Sequence, residues 1–307
     1  MKKEAFIINP AAHSGATGRK LPEIKRLVRN IFSSADIFVT ERPLHACEIA
    51  EQCLREGYGL IVAVGGDGTI NETLNGFMAG TEQNRSNAAF AFICEGTGGD
   101  LQRSFSLEKG LERNLLRIRE GKEKIVDIGK VSATFAEGQK SRYFLNIASC
   151  GLSAEVAQRV NNSPKNINGK IAYYWATLRT ILTHKSWPLE VTIEGERSQY
   201  AQASLLVLAN GRYFGGGMFI APHAMIDDGL FDQVLVSKMN LAFFVKNGWR
   251  VYKGSHLKHP QVLSQKCARL TAKSTSKQLI GIEVEGELFG SLPAIFEILP
   301  KALKIII

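Results

Sequence analysis

Three glycines and an aspartate follow directly on an apolar run that has the character of a strand. The run Leu60–Val64 is rich in β-branched residues and predicts a buried strand, and Gly65–Glu72 begins where it ends. Glycines let the backbone turn sharply and bring its N–H groups close to a ligand. Asp67 adds a carboxylate at the carboxyl end of the strand, and the helix expected from Asn71 adds an N-terminus that favours anions. The segment therefore predicts a loop for nucleotide phosphates, although it contains neither GxGxxG nor GxxxxGKS/T.

The apolar pattern divides the chain into two parts. Up to about residue 125, short apolar runs alternate with helical stretches such as Leu21–Phe32 and Asn71–Met78, which predicts a parallel sheet with helices on both faces. After Lys124, strand-like runs such as Arg142–Ala148 follow one another, which predicts an antiparallel, sandwich-like domain. We therefore expect a nucleotide-binding α/β domain over 1–124 and a substrate domain over 125–294.

The net charge of +9 is concentrated in one segment. Between Gln233 and Ile282 there is no acidic residue, and aromatic residues lie among the basic ones. From Asn240 as an N-cap, apolar residues recur at helical spacing beside Lys246, Arg250 and Lys253, which favours contact with an anionic membrane surface. Ordinary core packing of the same apolar residues is an equal alternative. Nucleic acid is not expected as a partner, because no recognised binding module is visible.

Composition and targeting signals indicate a cytoplasmic globular protein. The 307 residues are 45% hydrophobic and 22% charged, which is enough to form a core. We expect neither a signal peptide nor a membrane span, and the five scattered cysteines are expected to be reduced thiols. His256 and His259 are expected to be surface histidines rather than metal ligands.

Beyond the glycine-rich loop, a series of motifs resembles the diacylglycerol kinase catalytic domain family. That family includes bacterial lipid kinases and sphingosine kinases, and is distantly related to NAD kinases and phosphofructokinases. The motifs occur in the family's order over nearly the whole chain: Asn9-Pro10 with Ser14-Gly15, Gly65–Glu72, Gly96–Asp100, Asn146–Leu152, Ala209–Gly217, Asp227–Leu230 and Glu285–Glu287.

The resemblance implies a fold and a cofactor. The fold is an NAD kinase-like or phosphofructokinase-like α/β domain followed by an antiparallel β-sandwich, with the last strand, in 295–307, returning to the first domain. The cofactor is ATP. Its expected contacts are Asn9, Ser14, Thr40, Gly66, Asp67, Gly68, Thr69, Asn71, Glu72 and Thr97.

The resemblance also implies a structural Mg²⁺ at the Asp-Gly-Leu turn. Asp228 would bind it through its carboxylate, and Met225 and Leu230 through their backbone carbonyl groups. Magnesium prefers such hard oxygen ligands. A purely turn-forming role for Asp228 is the alternative.

The expected catalytic base is an acidic residue near the C-terminus. Where the family has Asp-Gly-Glu, this chain has Glu285-Gly286-Glu287, so Glu285 takes the position of the base, with Glu287 as the competing candidate and Asp67 as the catalytic acidic residue of the loop. Glu285 reaches one methylene further than aspartate, and Gly99 replaces the family's usual asparagine. Both departures predict reduced activity or an unusual substrate.

Together these residues predict a cytoplasmic, membrane-peripheral transferase of phospholipid metabolism. It would be an ATP-dependent lipid kinase that phosphorylates a hydroxyl group of a diacylglycerol-like or long-chain lipid. One alternative is a kinase of the same fold that acts on a soluble hydroxyl compound such as NAD. Another is a non-catalytic regulator that binds nucleotide or lipid. The oligomeric state is left open, a homodimer included.

Overall fold

The computed structural model describes residues 3–13, 15–95, 99–162 and 169–307, with no description of the side chains of 169–174. Their contacts group them into two compact units. Unit 1 comprises Met1–Val126 together with Lys301–Ile307, and unit 2 comprises Asp127–Pro300. Among the described residues, no helix is long and apolar enough to cross a membrane.

Unit 1 is built on a parallel sheet in the strand order β2-β1-β3-β4, followed by the end of β16. Its central strands β3 and β4 are apolar throughout, as expected when helices cover both faces of a parallel sheet. On one face, Ile24 and Val28 of α2 and Leu115 of α7 pack against Phe6 and Val62. The elements are β1 (Glu4–Ile8), α1 (Ala16–Arg19), α2 (Leu21–Ile31), β2 (Asp36–Val39), α3 (His45–Arg55), β3 (Leu60–Gly65), α4 (Asp67–Ala79), α5 (Glu82–Asn87), β4 (Ala89–Cys94), α6 (Asp100–Ser104), α7 (Leu111–Glu120) and the first residues of β5 (Glu123–Phe135).

The end of β16 (Ala294–Ile306) completes the sheet of unit 1. Ile305 is the parallel partner of Phe90 in β4. The half-buried guanidinium group of Arg117 donates to the carbonyl oxygens of Ile306, at 2.6 Å, and Phe92, at 3.0 Å. Arg117 therefore links the two neighbouring strands.

Unit 2 consists of antiparallel sheets with helices. One sheet has the order β12-β11-β10-β7-β14-β15, and another set pairs β16 with β13, β13 with β8 and β8 with β9. Trp187, Phe144 and Phe231 are fully buried in its core, the last two with stacked rings. The elements are β6 (Gly138–Phe144), β7 (Ile147–Gly151), α8 (Leu152–Asn161), α9 (Gly169–Thr183), β8 (Trp187–Ile193), β9 (Glu196–Ala203), β10 (Leu205–Ala209), β11 (Phe231–Val236), α10 (Leu241–Asn247), α11 (Trp249–Tyr252), a 3₁₀ helix (Ser255–Lys258), β12 (Val262–Cys267), β13 (Arg269–Ser274), β14 (Gly281–Val284) and β15 (Glu287–Ser291).

The predicted fold class is confirmed, but the course of one strand and the exposure of one histidine were predicted wrongly. The single strand expected over Arg142–Ala148 is two strands, β6 and β7, because the N–H groups of Leu145 and Asn146 donate to the Glu285 carboxylate instead of continuing a ladder. His256 is buried rather than exposed, and its Nε2 lies 2.9 Å from the carbonyl oxygen of Ile220.

Candidate functional site

The glycine-rich segment forms the junction between β3 and α4. β3 ends at Gly65, and α4 begins at Asp67 with Gly66 as its extended N-cap. The helix was expected from Asn71, so Asp67, Gly68 and Thr69 form its first turn and not a preceding loop. The N–H groups of a first turn have no partner within the helix, and the helix dipole adds partial positive charge to them. The junction is therefore a site that favours an anion such as a phosphate group.

The two neighbouring glycines at this junction, Gly65 and Gly66, have different surroundings. A Cβ at Gly65 would lie 2.7 Å from Thr69 Oγ1, so the protein itself excludes any side chain there. A Cβ at Gly66 would meet no protein atom within 4 Å, and its backbone (φ −82°, ψ 178°) suits any residue. Nothing in the fold therefore demands a glycine at position 66. The open space beside it is what a phosphate group needs to approach the backbone.

The two glycines can be tested as a matched pair. Gly65→Ala is expected to destabilise the protein by about 1–3 kcal/mol because of the clash with Thr69. Gly66→Ala is expected to cost at most about 1 kcal/mol, the usual effect of alanine at an N-cap, but to weaken ATP binding by roughly tenfold or more. Thermal melting and calorimetric titration with ATP measure both effects. A Gly66→Ala protein that binds ATP normally would show that phosphates do not approach this backbone.

Asn9 holds the junction from the end of β1. Its Nδ2 donates to Thr69 Oγ1 at 2.9 Å, and its Oδ1 accepts from the N–H of Ala11 at 2.9 Å. Its own N–H donates to the carbonyl group of Val64 at 3.1 Å. Thr40, directly after β2, is buried, with its N–H donating to Ile8. The carboxyl ends of β1, β2 and β3 thus place Asn9, Thr40 and Thr69 at the same edge of the sheet.

The remaining predicted nucleotide contacts are placed differently. Asn71 is buried in α4, where its carbonyl and side-chain oxygens accept from Asn75 Nδ2. Glu72 follows it and is half-buried. Ser14 and Thr97 lie outside the described residues.

Asp67 carries a destabilised charge at the start of α4. Burial, and to a smaller extent the nearby Asp100, raise the pKa of its carboxyl group to about 6, although Arg103 and the Gly99 backbone oppose the shift. Arg103 donates to Asp100 at 2.8 Å. Perturbed carboxylates of this kind cluster at functional sites. A cation brought by a ligand would favour the ionised form of Asp67.

Lys20 and Glu95 also lie at this edge and were missed from the sequence. The N–H of Glu95 donates to the carbonyl group of Gly65 at 2.8 Å, so this residue is fixed beside the junction. Lys20 Nζ lies 3.2 Å from Glu95 Oε2 and supplies a mobile positive charge there. The position of Glu95 directly after β4 was the available sequence signal.

In unit 2, the Glu-Gly-Glu motif turns the chain from β14 into β15. Glu285 and Gly286 both have positive φ, 53° and 86°. This conformation costs glutamate energy unless contacts hold it. Glu285 Oε1 provides those contacts by accepting from the N–H groups of Leu145, at 2.8 Å, and Asn146, at 2.7 Å. The Glu285 carboxylate is therefore engaged with the backbone at the start of β7.

Glu287 is the first residue of β15 and carries a half-exposed carboxylate. Its side chain is 46% exposed, and its Oε2 lies 2.6 Å from Arg142 Nη2 of β6. Arg142 fixes one oxygen of this carboxylate.

Glu283 is a buried acidic residue below the turn that was not anticipated. Its Oε1 accepts from the Gly286 N–H, and its Oε2 lies 2.5 Å from Ser149 Oγ. Ser149 Oγ in turn lies 2.7 Å from Ser153 Oγ. Burial raises the pKa of Glu283, although the hydrogen bonds from Ser149 and Gly286 oppose the shift. Glu283 thus holds the turn that carries Glu285 and Glu287.

A lysine balances the carboxylate charge of the Asp-Gly-Leu turn. Asp228 Oδ1 accepts from the Leu230 N–H at 3.1 Å, and Lys266 donates to Asp228 Oδ2. Lys266 Nζ also lies 3.6 Å from Asp232 Oδ2. A magnesium ion bound to Asp228 and the carbonyl groups of Met225 and Leu230 would have to displace this ammonium group. The turn in this arrangement therefore does not fit the implied metal ion.

The turn is also held from β5. Asp127 is fully buried, and its Oδ2 accepts from the Gly229 N–H at 2.6 Å. In the part of the chain that the structure describes, no three His, Cys, Asp or Glu side chains are grouped as a metal site.

Comparisons with known proteins cover nearly the whole chain. The family model described as diacylglycerol kinase catalytic domain matches residues 3–131. The model described as YegS C-terminal NAD kinase beta sandwich-like domain matches residues 146–307. A protein of Staphylococcus aureus (strain Newman) named diacylglycerol kinase is 30% identical over 297 residues, which cover 96% of this chain and 90% of that protein.

Solved structures share the fold. The crystal structure of a diacylglycerol kinase from Bacillus anthracis str. Sterne has a TM-score of 0.71 at 20% identity, covering 99% of this chain and 96% of the other. Yeast NADH kinase complexed with NADH has a TM-score of 0.53 at 12% identity, covering 99% of this chain and 83% of the other. With family models over both parts of the chain and a relative matched over nearly its full length, the chain belongs to the diacylglycerol kinase family.

Proposed function

We propose that this protein transfers the γ-phosphoryl group of ATP to a hydroxyl group of a diacylglycerol-like or long-chain lipid. An ATP-dependent kinase is the activity that its family indicates. The observation that carries the proposal is the junction of β3 and α4, where the first-turn N–H groups and the open space at Gly66 suit a phosphate chain.

The residues of unit 1 are proposed to bind and position the nucleotide. The N–H groups of Asp67, Gly68 and Thr69 would donate hydrogen bonds to phosphate oxygens. Asn9 would keep Thr69 in place through its hydrogen bond. Kinases use ATP with Mg²⁺, which neutralises charge on the transferred phosphate. The ionised Asp67 carboxylate is a hard oxygen ligand beside this site, and it is proposed to hold the cation that accompanies the phosphates.

We propose Glu287 as the base for the acceptor hydroxyl. In the reaction, the bond from the γ-phosphorus to the bridging β-γ oxygen breaks, and a bond to the lipid oxygen forms. The hydroxyl proton passes to the base, and ADP leaves. Glu287 is half exposed, and Arg142 binds only its Oε2, so its Oε1 is proposed to receive the hydroxyl proton. Glu285 Oε1 already accepts two backbone hydrogen bonds. Of the two acids, Glu287 is therefore better suited to proton transfer.

We further propose that the protein works at the surface of an anionic membrane, where such a lipid resides. Lys246, Arg250 and Lys253, in the segment that lacks acidic residues, supply the positive charge. Basic residues near a membrane contribute about 1 kcal/mol each to binding.

The test is a phosphate-transfer screen with magnesium and γ-labelled ATP. The acceptors are diacylglycerol, monoacylglycerol, ceramide and a sphingoid base in mixed micelles, with NAD as a soluble acceptor. We expect transfer to a lipid hydroxyl that depends on the micelle. Transfer only to NAD would support the soluble-substrate alternative, and ATP binding without any transfer would support a regulator.

A further inference from the structure

The outward face of α10 and α11 is apolar although these helices also contribute to a core. Phe243, Phe244 and Val251 pack inward against the apolar cluster formed by the sheet of β7, β10 and β11. Leu241, Val245, Trp249 and Tyr252 are exposed instead. Core packing, one of the two alternatives left open by the sequence, therefore accounts for Phe243, Phe244 and Val251 but not for these four exposed residues.

The exposed residues form a continuous stripe. Leu241, Val245, Trp249 and Tyr252 are spaced by four, four and three residues, which places them on one side of a helix. Gly248 between α10 and α11 has helical angles (φ −58°, ψ −32°), so the spacing continues through the junction. Val245 is 68% exposed, Trp249 54% and Tyr252 59%. We call these four residues the outer stripe.

The neighbouring helix has a similar outer side. α9 contacts α10, and its residues Trp175, Arg179 and Leu182 are exposed at the same helical spacing. Two adjacent helices of unit 2 thus present large apolar side chains to solvent. Clustered apolar residues of this size on a surface indicate an interaction site more often than scattered ones do.

Positive charge lies beside the outer stripe. Lys246 is exposed next to Val245, and two further cations contact Trp249. The guanidinium carbon of Arg250 is 5.7 Å and the ammonium nitrogen of Lys253 is 5.3 Å from the centre of the Trp249 ring. The whole segment from Gln233 to Ile282 contains no acidic residue that could neutralise them.

We propose that the outer stripe is the part of the protein that enters the membrane, with α10 and α11 lying in the plane of an anionic bilayer surface. This inference rests on the proposed function for the reason to bind a membrane, and it adds which residues insert. Trp and Tyr favour the boundary between headgroups and acyl chains, and Val and Leu favour the acyl side. Lys246, Arg250 and Lys253 would meet the lipid phosphates.

The first experiment measures binding to vesicles of equal parts phosphatidylglycerol and phosphatidylcholine, without nucleotide. Val245→Ser/Trp249→Ser should weaken binding by roughly tenfold or more, because two inserted side chains are lost. Lys246→Gln/Lys253→Gln should weaken it by about 20-fold, with a smaller salt dependence. Leu279→Ser/Ile125→Ser and Lys109→Gln/Lys122→Gln remove equally exposed residues elsewhere and should bind as the unaltered protein does.

A second experiment detects insertion directly. In Trp175→Phe, the two remaining tryptophans are Trp249, which is exposed, and Trp187, which is fully buried. Vesicles with brominated acyl chains should then quench the emission of Trp249. Binding without quenching would overturn insertion of the outer stripe. Equal binding by all the variants would overturn the proposal that the outer stripe contacts the membrane.

The remaining outcomes separate this inference from its rivals. If the unaltered protein is a dimer and Val245→Ser/Trp249→Ser is a monomer with unchanged vesicle binding, the stripe is an interface between copies of the chain. Turnover of a short-chain diacylglycerol in solution should be the same in all the variants. Vesicle binding by a protein that phosphorylates no lipid would contradict the proposed function but would still support membrane contact by the outer stripe.

Discussion

The Asp67→Asn protein is expected to lose phosphoryl transfer and yet to melt at a higher temperature than the unaltered protein near neutral pH. The loss of activity follows from the proposed role of the Asp67 carboxylate beside the nucleotide phosphates. The gain in stability follows from its raised pKa of about 6, which means that the fold disfavours the ionised form. Asparagine has a similar shape and carries no charge, so it avoids this cost.

The gain in stability of Asp67→Asn should depend on pH, because it arises from the ionisation of Asp67. A carboxyl group whose pKa is raised on folding destabilises the protein above that pKa, and the effect vanishes below the pKa of the unfolded chain. The advantage of Asp67→Asn should be on the order of 1–3 kcal/mol at about pH 8 and close to zero at about pH 4. Melting curves across this range and a transfer assay provide the two measurements.

The matched control for Asp67 is Glu120→Gln. Glu120 is exposed at the end of α7 in the same unit, so its replacement also removes one negative charge. It should change neither activity nor the pH dependence of melting. An Asp67→Asn protein that folds and turns over normally would show that Asp67 takes no part in the reaction.

Glu287→Gln should reduce the chemical step by roughly 10²–10⁴-fold, the usual contribution of general-base catalysis, and leave ATP affinity unchanged. Glu285→Gln should act differently, because its carboxylate holds the N–H groups of Leu145 and Asn146. A neutral amide accepts these hydrogen bonds less strongly, so the free energy of unfolding should fall by about 1–2 kcal/mol while turnover changes little.

Single-turnover rates and melting temperatures of the two variants distinguish the roles. A silent Glu287→Gln with an inactive Glu285→Gln would assign the base to Glu285. Normal turnover by both proteins would mean that the segment contains no base and that transfer depends on positioning and electrostatics.

The sequence predicted the strand and the glycine-rich segment of the junction in unit 1 because these residues are local. The strand Leu60–Gly65 and the residues after it are consecutive, so their order alone places the glycines at the end of a strand. The start of α4 was misplaced because Asp, Gly and Thr are weak helix formers inside a helix. In the first turn, however, the N–H groups have no partner within the helix, so a low interior propensity matters less there, and α4 begins directly after its N-cap Gly66.

The placement of the acidic residues of unit 2 depends on contacts that no local pattern reveals. Glu285 meets Leu145 across 140 residues of sequence, and this contact distinguishes it from Glu287. Lys266 donates a hydrogen bond to Asp228 because β11 pairs with β12, and no sequence motif predicts that pairing. The burial of His256 likewise follows from tertiary packing rather than from its lysine-rich neighbourhood.

The return of Lys301–Ile307 to unit 1 has a consequence for biosynthesis. While the ribosome is still adding residues, β4 has an open edge and Arg117 lacks the carbonyl group of Ile306. The unit translated first is thus the unit completed last, after all of Asp127–Pro300 has been made. Open strand edges promote association between chains. A nascent chain of this protein therefore passes through a period in which its nucleotide-binding unit is exposed to misassembly, and chaperone demand should be greatest then.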